Sequence, residues 1–275
     1  MVSDGSSAYE RDWGWAAVAL DNARPTGDAD MKIEGSVALV TGANRGLGKS
    51  YVEALRAAGA AKIYAGARQP FDFNDSRVIP IRLDVTSQAD VESAAQRCQD
   101  VNILINNAGA MLKSPMLAEG SDESMRREME VNVFGVLAMI RAFAPILAKN
   151  GGGTVANMLS VVSWFTFPFN ATYCASKHAA LAVTDAARVQ LKGQGTHVVG
   201  VYAGFIDTDM AAELADPSEQ KTSPRQVADR TLEGIANGIN HVRADARSEE
   251  LWNLIRQKSA QIEESMQQAW DDRSE

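Results

Sequence analysis

Tyr173 and Lys177 stand four residues apart in Ala171-Thr172-Tyr173-Cys174-Ala175-Ser176-Lys177, a spacing that on a helix puts both side chains on one face. A free tyrosine titrates near ~10, too high for efficient base work at neutral pH. A neighbouring ammonium stabilises the phenolate, and each tenfold gain in acidity is worth about 1.4 kcal/mol. The phenol then becomes a usable acid or base toward an alcohol or a carbonyl. The spacing alone describes a half-buried Tyr and a solvated Lys equally well, so its neighbours matter. Ser160 ends an apolar run thirteen residues earlier and offers a hydroxyl that can hold a carbonyl oxygen; Ser163 competes for that role but lies beyond the expected strand end. Asn132, in Glu130-Val131-Asn132-Val133-Phe134-Gly135, falls inside a long helical stretch, where a mediocre helix former points to a specific task.

These four candidates need a scaffold, and the punctuation of the chain supplies one. Short apolar runs at Val37–Val40, Lys62–Ala65, Val78–Leu83, Val101–Ile105, Thr154–Leu159 and His197–Tyr202 read as strands. Helical-period stretches alternate with them at about Gly46–Ala58, Gln88–Cys98, Asp122–Lys149 and Ala171–Lys192. Continuous apolar strands alternating with amphipathic helices predict an α/β fold, a doubly wound parallel sheet in a single domain. Such sheets bind ligands beyond the carboxyl ends of their strands. Ser160 and the residues after the first, second and fourth strands fall there. Phe205–Ser223 is irregular, with a helix start at Ser223-Pro224-Arg225-Gln226, and residues 248–270 show helical spacing of Leu251, Leu254, Ile255, Ile262, Met266 and Trp270.

Thr41-Gly42-Ala43-Asn44-Arg45-Gly46-Leu47-Gly48 lies where the first strand meets the first helix. Glycines there let the chain turn tightly and let backbone approach a pyrophosphate, with the helix N-terminus beyond offering unpaired N–H groups. No Gly-Lys-Ser/Thr ending follows, which disfavours a P-loop NTPase. The second strand ends in Tyr64-Ala65-Gly66-Ala67-Arg68, where a carboxylate would bind the ribose 2′-OH of NAD and repel a 2′-phosphate. With Arg68 there and Arg45 in the turn, NADP(H) is favoured over NAD(H), since guanidiniums suit a dianionic phosphate; Asp72 nearby is the residue that argues the other way.

The 275 residues suffice for one large domain, and 45% hydrophobic with 23% charged is ordinary for a globular chain. Residues 1–31 hold six acids against two basics, while the remainder is nearly balanced at 29 against 25. No basic stripe stands out, so nucleic acid is not expected as a partner. The longest apolar runs are of strand length, so no membrane span is expected. Cys98 and Cys174 have no metal or disulfide spacing, no metal is expected, and a cytoplasmic location is the default. Residues 1–31 read as an extension, flexible or packing Trp13 and Trp15 as an arm, residues 32–246 as the domain, and 247–275 as its helical tail. Trp164, Phe165, Phe167, Phe169, Phe205, Met210 and Met111-Leu112 suggest an apolar pocket for a hydrophobic substrate, with cover for the core or a subunit contact as the competing reading.

Together these residues resemble the short-chain dehydrogenase/reductase family from Lys32 to about His241. The turn Thr41–Gly48, Asn106-Asn107-Ala108-Gly109, Asn132, Ser160, Tyr173 and Lys177 occur in the family's order. The resemblance implies an oxidoreductase interconverting a carbonyl and an alcohol by hydride transfer. It implies Tyr173 as acid/base, Ser160 orienting the carbonyl, Lys177 on the nicotinamide ribose and depressing the tyrosine pKa, and Asn132 placing a relay water. The cofactor would meet Gly42, Asn44, Arg45, Gly46, Leu47, Gly48 and Arg68. Asp84-Val85 would touch the adenine, Asn106, Ala108 and Gly109 would lie along the cofactor, and Gly204, Ile206 and Thr208 would meet the nicotinamide, with Phe205–Pro224 as a lid. The chain departs from the family pattern at Ala203, where Pro is usual, and in lacking a Gly-rich ending. A homotetramer is therefore less safe to assume than a homodimer built on the two long helices. A dinucleotide-sensing regulatory or scaffold protein of the same fold is the alternative; a sugar-nucleotide epimerase fits less well, for want of a C-terminal substrate domain.

Overall fold

A computed structural model describes residues 31–210 and 221–257. Expectations for residues 1–30, for the middle of the 205–224 lid and for the tail beyond 257 lie outside the described residues.

The strands are β1 (Val37–Thr41), β2 (Lys62–Ala67), β3 (Val78–Arg82), β4 (Ile103–Asn106), β5 (Gly153–Met158), β6 (Thr196–Tyr202) and β7 (His241–Arg243). They form one parallel sheet in the order β3-β2-β1-β4-β5-β6-β7. The helices are α1 (Gly46–Ala57), α2 (Gln88–Arg97), α3 (Ser121–Met129), α4 (Val136–Lys149), α5 (Ala171–Leu191), α6 (Pro224–Ala236) and α7 (Ala246–Gln257). This is a doubly wound Rossmann arrangement. The strand order reverses between β1 and β4, opening a crevice at their carboxyl ends.

Alternation along each strand feeds two cores. Ala38, Val40, Ile103 and Ile105 pack with Tyr51 and Leu55 of α1 and Val227 and Ile235 of α6. Leu39 and Leu104 pack with Val91 of α2 and Met139, Phe143 and Leu147 of α4 on the opposite face. Helix α1 stops where Gly59, at φ +83°, lets Ala60 N–H reach Leu55 O and Gly59 N–H reach Arg56 O, two bonds that close the helix end. Helix α6 starts as its sequence predicts, with Ser223 accepting the Gln226 N–H and Pro224 in the first turn.

Three features differ from expectation. The strand β7 is only three residues long and carries no periodic signal. The stretch Asp122–Lys149 is not one regular helix, because Glu130–Gly135 forms a π-helical turn between α3 and α4. Taken through that turn, Ser121–Lys149 is long and apolar enough to cross a membrane by length and composition, which corrects the expectation that apolar runs are of strand length. Half of its most apolar window is buried inside the protein, and Val136, Met139, Ile140, Phe143, Ile146 and Leu147 fill the core beneath it, so it serves as a core helix.

Candidate functional site

The turn after β1 is shaped by what cannot fit there. A Cβ on Gly48 would overlap the Gly42 carbonyl oxygen, and one on Gly42 would sit 3.1 Å from Ala108 Cα. Gly42 and Gly46 hold φ of +65° and +51°, which glycine adopts without strain. Asn44 is half-buried in the turn, Leu47 anchors its far end in the core, and Arg45 is exposed. The N-terminus of α1 has no side-chain cap and no acid in its first turn. Its N–H groups and dipole thus fit a diphosphate, and the narrow glycine cradle fits close backbone approach by a dinucleotide.

The segment after β4 is pinned to that turn. Thr41 Oγ1 accepts the N–H groups of both Asn107 (3.0 Å) and Ala108 (2.9 Å), and Asn107 Nδ2 donates to Thr41 O at 2.9 Å. Asn106 turns the other way, its Nδ2 donating to Asn157 Oδ1 while its Oδ1 is buried with no hydrogen-bond partner among the described residues. The expected contact residues Asn106, Ala108 and Gly109 thus lie at the crevice. Sequence reasoning reaches Asn107 and Thr41 only as members of their two motifs, with nothing to mark either one individually.

Asn132 occupies the π turn, buried. Its Oδ1 accepts Ala110 N–H and its Nδ2 donates to Ala110 O and to Ser176 Oγ, all at 2.8 Å. Ser176 Oγ in turn donates to Tyr173 O at 2.7 Å, so Asn132 is linked to the helix carrying Tyr173 and Lys177. At its end Gly135 packs closely against the loop after β3: a Cβ there would come within 2.7 Å of Val85 Cγ2.

Ser160 begins a 3-10 turn, Val161–Ser163, and its N–H donates to Ser163 Oγ at 3.3 Å. Both hydroxyls take part in this turn: Ser160 Oγ accepts the Val162 N–H and donates to Ala203 O, each at 3.4 Å. The Ser160 hydroxyl lies close enough to the Tyr173 phenol to act against the rise in its pKa. Lys177 is buried, donates from Nζ to Met158 O at 2.7 Å, and sits 5.6 Å from the centroid of the Tyr173 ring. Burial pushes its ammonium down to about 8. Burial also pushes the Tyr173 phenol above its ordinary value, aided by the charge of Glu128 and opposed by Ser160.

Beyond the second strand Arg68 is exposed, while Asp72 accepts the Asn74 N–H at 2.9 Å in a local turn. Asp84 is turned to Thr86, accepting from its N–H and hydroxyl. Desolvation acts to raise its pKa, but these bonds and the charges of Arg68 and Arg82 outweigh it and hold the carboxyl below its usual range. After β6, Ile206 bridges to Thr222. Thr208 lies over the glycine turn, its Cγ2 3.4 Å from where a Gly46 Cβ would stand. Arg45 meets Asp209 at 3.6 Å, both well exposed. Gly204 N–H donates to buried Asp245, a residue that no motif marked.

The aromatic residues divide. Trp164 stacks on Tyr202 at 4.3 Å and packs on Trp252 at 4.9 Å, so it covers the C-terminal side of the sheet and does not fit the pocket-lining reading. Phe167 and Phe169 pair edge-to-face, and Cys174 Sγ accepts the Phe167 N–H at 3.3 Å. Cys174 is a packing residue, its thiol pushed up to about 11 by burial.

The sequence matches the short chain dehydrogenase family over residues 36–219. A short chain dehydrogenase from Burkholderia cenocepacia, solved in complex with NADP, is 39% identical and superposes with a TM-score of 0.81, covering 86% of this chain and 99% of that one. A 3-ketoacyl-(acyl-carrier-protein) reductase from Brucella melitensis, complexed with NADH, is 26% identical at a TM-score of 0.72, covering 78% and 99%. Among curated proteins, a short chain dehydrogenase of Monascus purpureus is 31% identical over 236 residues, 78% of this chain and 81% of its own length. With that match spanning the crevice and all the strands up to β6, the chain belongs to the short-chain dehydrogenase/reductase family and is an NAD(P)(H)-dependent oxidoreductase of small carbonyl and alcohol compounds.

Proposed function

We propose that the protein is an NADP(H)-dependent carbonyl reductase in which Tyr173 transfers the proton. The observation that carries this reading is the convergence of Ser160, Tyr173 and Lys177 at the carboxyl end of β5, with Lys177 Nζ held by Met158 O at 2.7 Å and 5.6 Å from the centroid of the Tyr173 ring.

The dinucleotide, when bound, supplies hydride to the carbonyl carbon. Ser160 and Tyr173 hold the carbonyl oxygen, and charge developing there is met by two hydroxyl donors in a site shielded from water. Tyr173 then donates its proton to that oxygen. The Lys177 ammonium, fixed by Met158 O, offsets the phenolate left behind. Asn132 clamps Ala110 on one side and Ser176 on the other, fixing the spacing between the segment after β4 and helix α5. Gly42, Asn44, Gly46, Leu47 and Gly48 receive the diphosphate, Asp84 and Val85 the adenine, and Gly204, Ile206 and Thr208 the nicotinamide end.

The preference for NADP(H) is supported by Arg68 one residue past β2, by the absence of an acid at that strand end, and by Arg45 in the turn. The 39%-identical Burkholderia protein in complex with NADP agrees with it. Met111, Leu112, Phe165 and Phe205, half-buried around the site, favour a hydrophobic ketone or aldehyde. The outer faces of the π turn leading into α4 and of α5, where Phe134 and Val189 are exposed, suit a homodimer that a homotetramer would extend. A cytoplasmic location and a single domain from residue 32, with residues 1–31 as an extension, complete the reading.

The test is oxidation of NADPH and of NADH against a panel of hydrophobic ketones, aldehydes and diketones. Faster substrate-dependent loss of NADPH is expected. Replacement Tyr173→Phe should leave cofactor binding intact and cost about 10²–10⁴ in turnover. Full activity in that variant would overturn the assignment.

A further inference from the structure

Glu128 lies one helical turn before Asn132, and it is fully buried. Burial pushes its carboxyl above the usual range, against the opposing effect of its hydrogen bonds. Few side chains are costlier to enclose, and here the enclosure has a definite partner: Oε1 accepts the Leu112 N–H at 2.6 Å. Its other oxygen, Oε2, has no hydrogen-bond partner among the described residues. Thr172 stands beside it but directs its hydroxyl to Ser114 O at 3.3 Å, as does the Thr172 N–H.

The three contacts fall at alternate residues of one segment. Asn132 grips Ala110, Glu128 grips Leu112, and Thr172 grips Ser114. The segment 110–114 is thereby fastened rung by rung, first to the helix carrying Asn132 and then to the residue preceding Tyr173. Lys113, within it, is held at φ +57°, a backbone conformation that a non-glycine residue adopts only where its surroundings impose it. We infer that Glu128 is a positioning residue, the middle rung of a clamp that fixes residues 110–114 as the wall of the carbonyl-binding site beside Tyr173. The inference rests on the oxidoreductase reading above only for its kinetic consequence; the clamp itself is readable without turnover.

The experiment compares wild type with Glu128→Leu, Glu128→Gln and Glu128→Asp. Hydrogen exchange of a peptide covering 110–114 reports the clamp. Steady-state kinetics with the best carbonyl from the panel report its effect, and NADPH titration reports the folded fraction. Glu128→Leu should expose the Leu112 amide to exchange and raise substrate KM about tenfold, the size expected when a buried N–H loses its one acceptor, with a smaller change in kcat and unchanged NADPH affinity. Glu128→Gln keeps an acceptor oxygen at the same reach and should restore both. Glu128→Asp keeps the charge but falls one methylene short of Leu112, so it should resemble Leu; the Gln-over-Asp order decides the question even where Glu128→Leu fails to fold. Exchange and KM in Glu128→Leu equal to wild type would overturn the inference, as would Asp outperforming Gln. A wild-type protein inactive on every carbonyl would defeat the substrate reading, while the exchange data would still decide the clamp.

Discussion

Asp245 accepts the Gly204 N–H at 2.8 Å, and through that bond the start of α7 grips the loop that follows β6. The same carboxylate accepts the Ser248 N–H at 2.7 Å, and Asp245 N–H donates to Ser248 Oγ at 3.2 Å, a reciprocal cap on the helix. Thr222 Oγ1 lies 3.5 Å from it, and Thr222 pairs through its backbone with Phe205 and Asp207. One buried carboxylate therefore fixes both ends of the segment between Phe205 and Thr222. Its position also bears on Ala203: where the family usually has a ring to stiffen the turn, this chain has a carboxylate behind the next residue.

The first prediction follows from that bond. Asp245→Asn leaves one acceptor for two N–H donors and turns an amide N–H toward one of them, a change worth roughly 1–3 kcal/mol. NADPH should bind about tenfold more weakly, read by fluorescence titration, with a modest loss of melting temperature. Unchanged affinity together with a large loss of stability would mean that Asp245 serves only the helix cap.

Arg45 and Arg68 carry the second. The Arg45–Asp209 pair is mostly exposed at 71% and 89%, so it contributes little in water and leaves the guanidinium free to turn. Arg68→Asp should lower kcat/KM for NADPH by about 10–100-fold, the range for charge-assisted bonds lost to a phosphate, while NADH improves or holds. An unchanged NADPH/NADH ratio would place phosphate recognition elsewhere.

Much of this was legible in the sequence because the signals are local. Val37–Val40 followed by Thr41–Gly48 marks a strand, a turn and a helix start within a dozen residues, and Tyr173 and Lys177 share a helix face by spacing alone. Asp245 and Glu128 had no such signal. Each acts on a backbone N–H elsewhere in the chain, Gly204 for one and Leu112 for the other, and neither Ala244 and Ala246 nor Arg127 and Met129, their sequence neighbours, say anything about that partner. The π turn at Glu130–Gly135 was hidden because the residues within it read as ordinary helix, and only in the fold does Gly135 meet Val85 from a distant loop. Trp164 was misplaced because aromatic content near Ser160 shows size and apolarity but not direction. The spacing of Tyr173 and Lys177 shows that they are neighbours, whereas burial governs how both groups titrate.

Lys177 supplies the third prediction. With its pKa lowered to about 8 by burial, the side chain is cationic below that value and neutral above it. In the reductive direction Tyr173 leaves a phenolate, which the cation offsets and the neutral amine does not. Reductive kcat should therefore be level below about pH 8 and fall as pH rises through it. Lys177→Met should lower kcat and abolish that limb. A wild-type profile that stays flat through this range would remove the ammonium from the proton-transfer step.

The fourth concerns stability. His241 sits between Tyr202 and Trp252, its ring 5.9 Å from each, with Nδ1 3.0 Å from Tyr202 Oη. Burial, with the charges of Arg188 and Arg243, lowers its pKa from 6.5 to about 4. Between those values the unfolded chain binds the proton and the folded one does not, so stability contributed by the neutral ring is complete above pH 6.5 and is lost as pH falls toward about 4. A difference of that size corresponds to roughly 3–3.5 kcal/mol. His241→Gln keeps a partner for Tyr202 but has nothing to protonate. Urea unfolding of both proteins over a pH series should show wild type losing stability faster than the variant across this window, with parallel curves above it. Parallel curves throughout would mean that His241 is protonated inside the fold, and that the aromatic stack tolerates a cation.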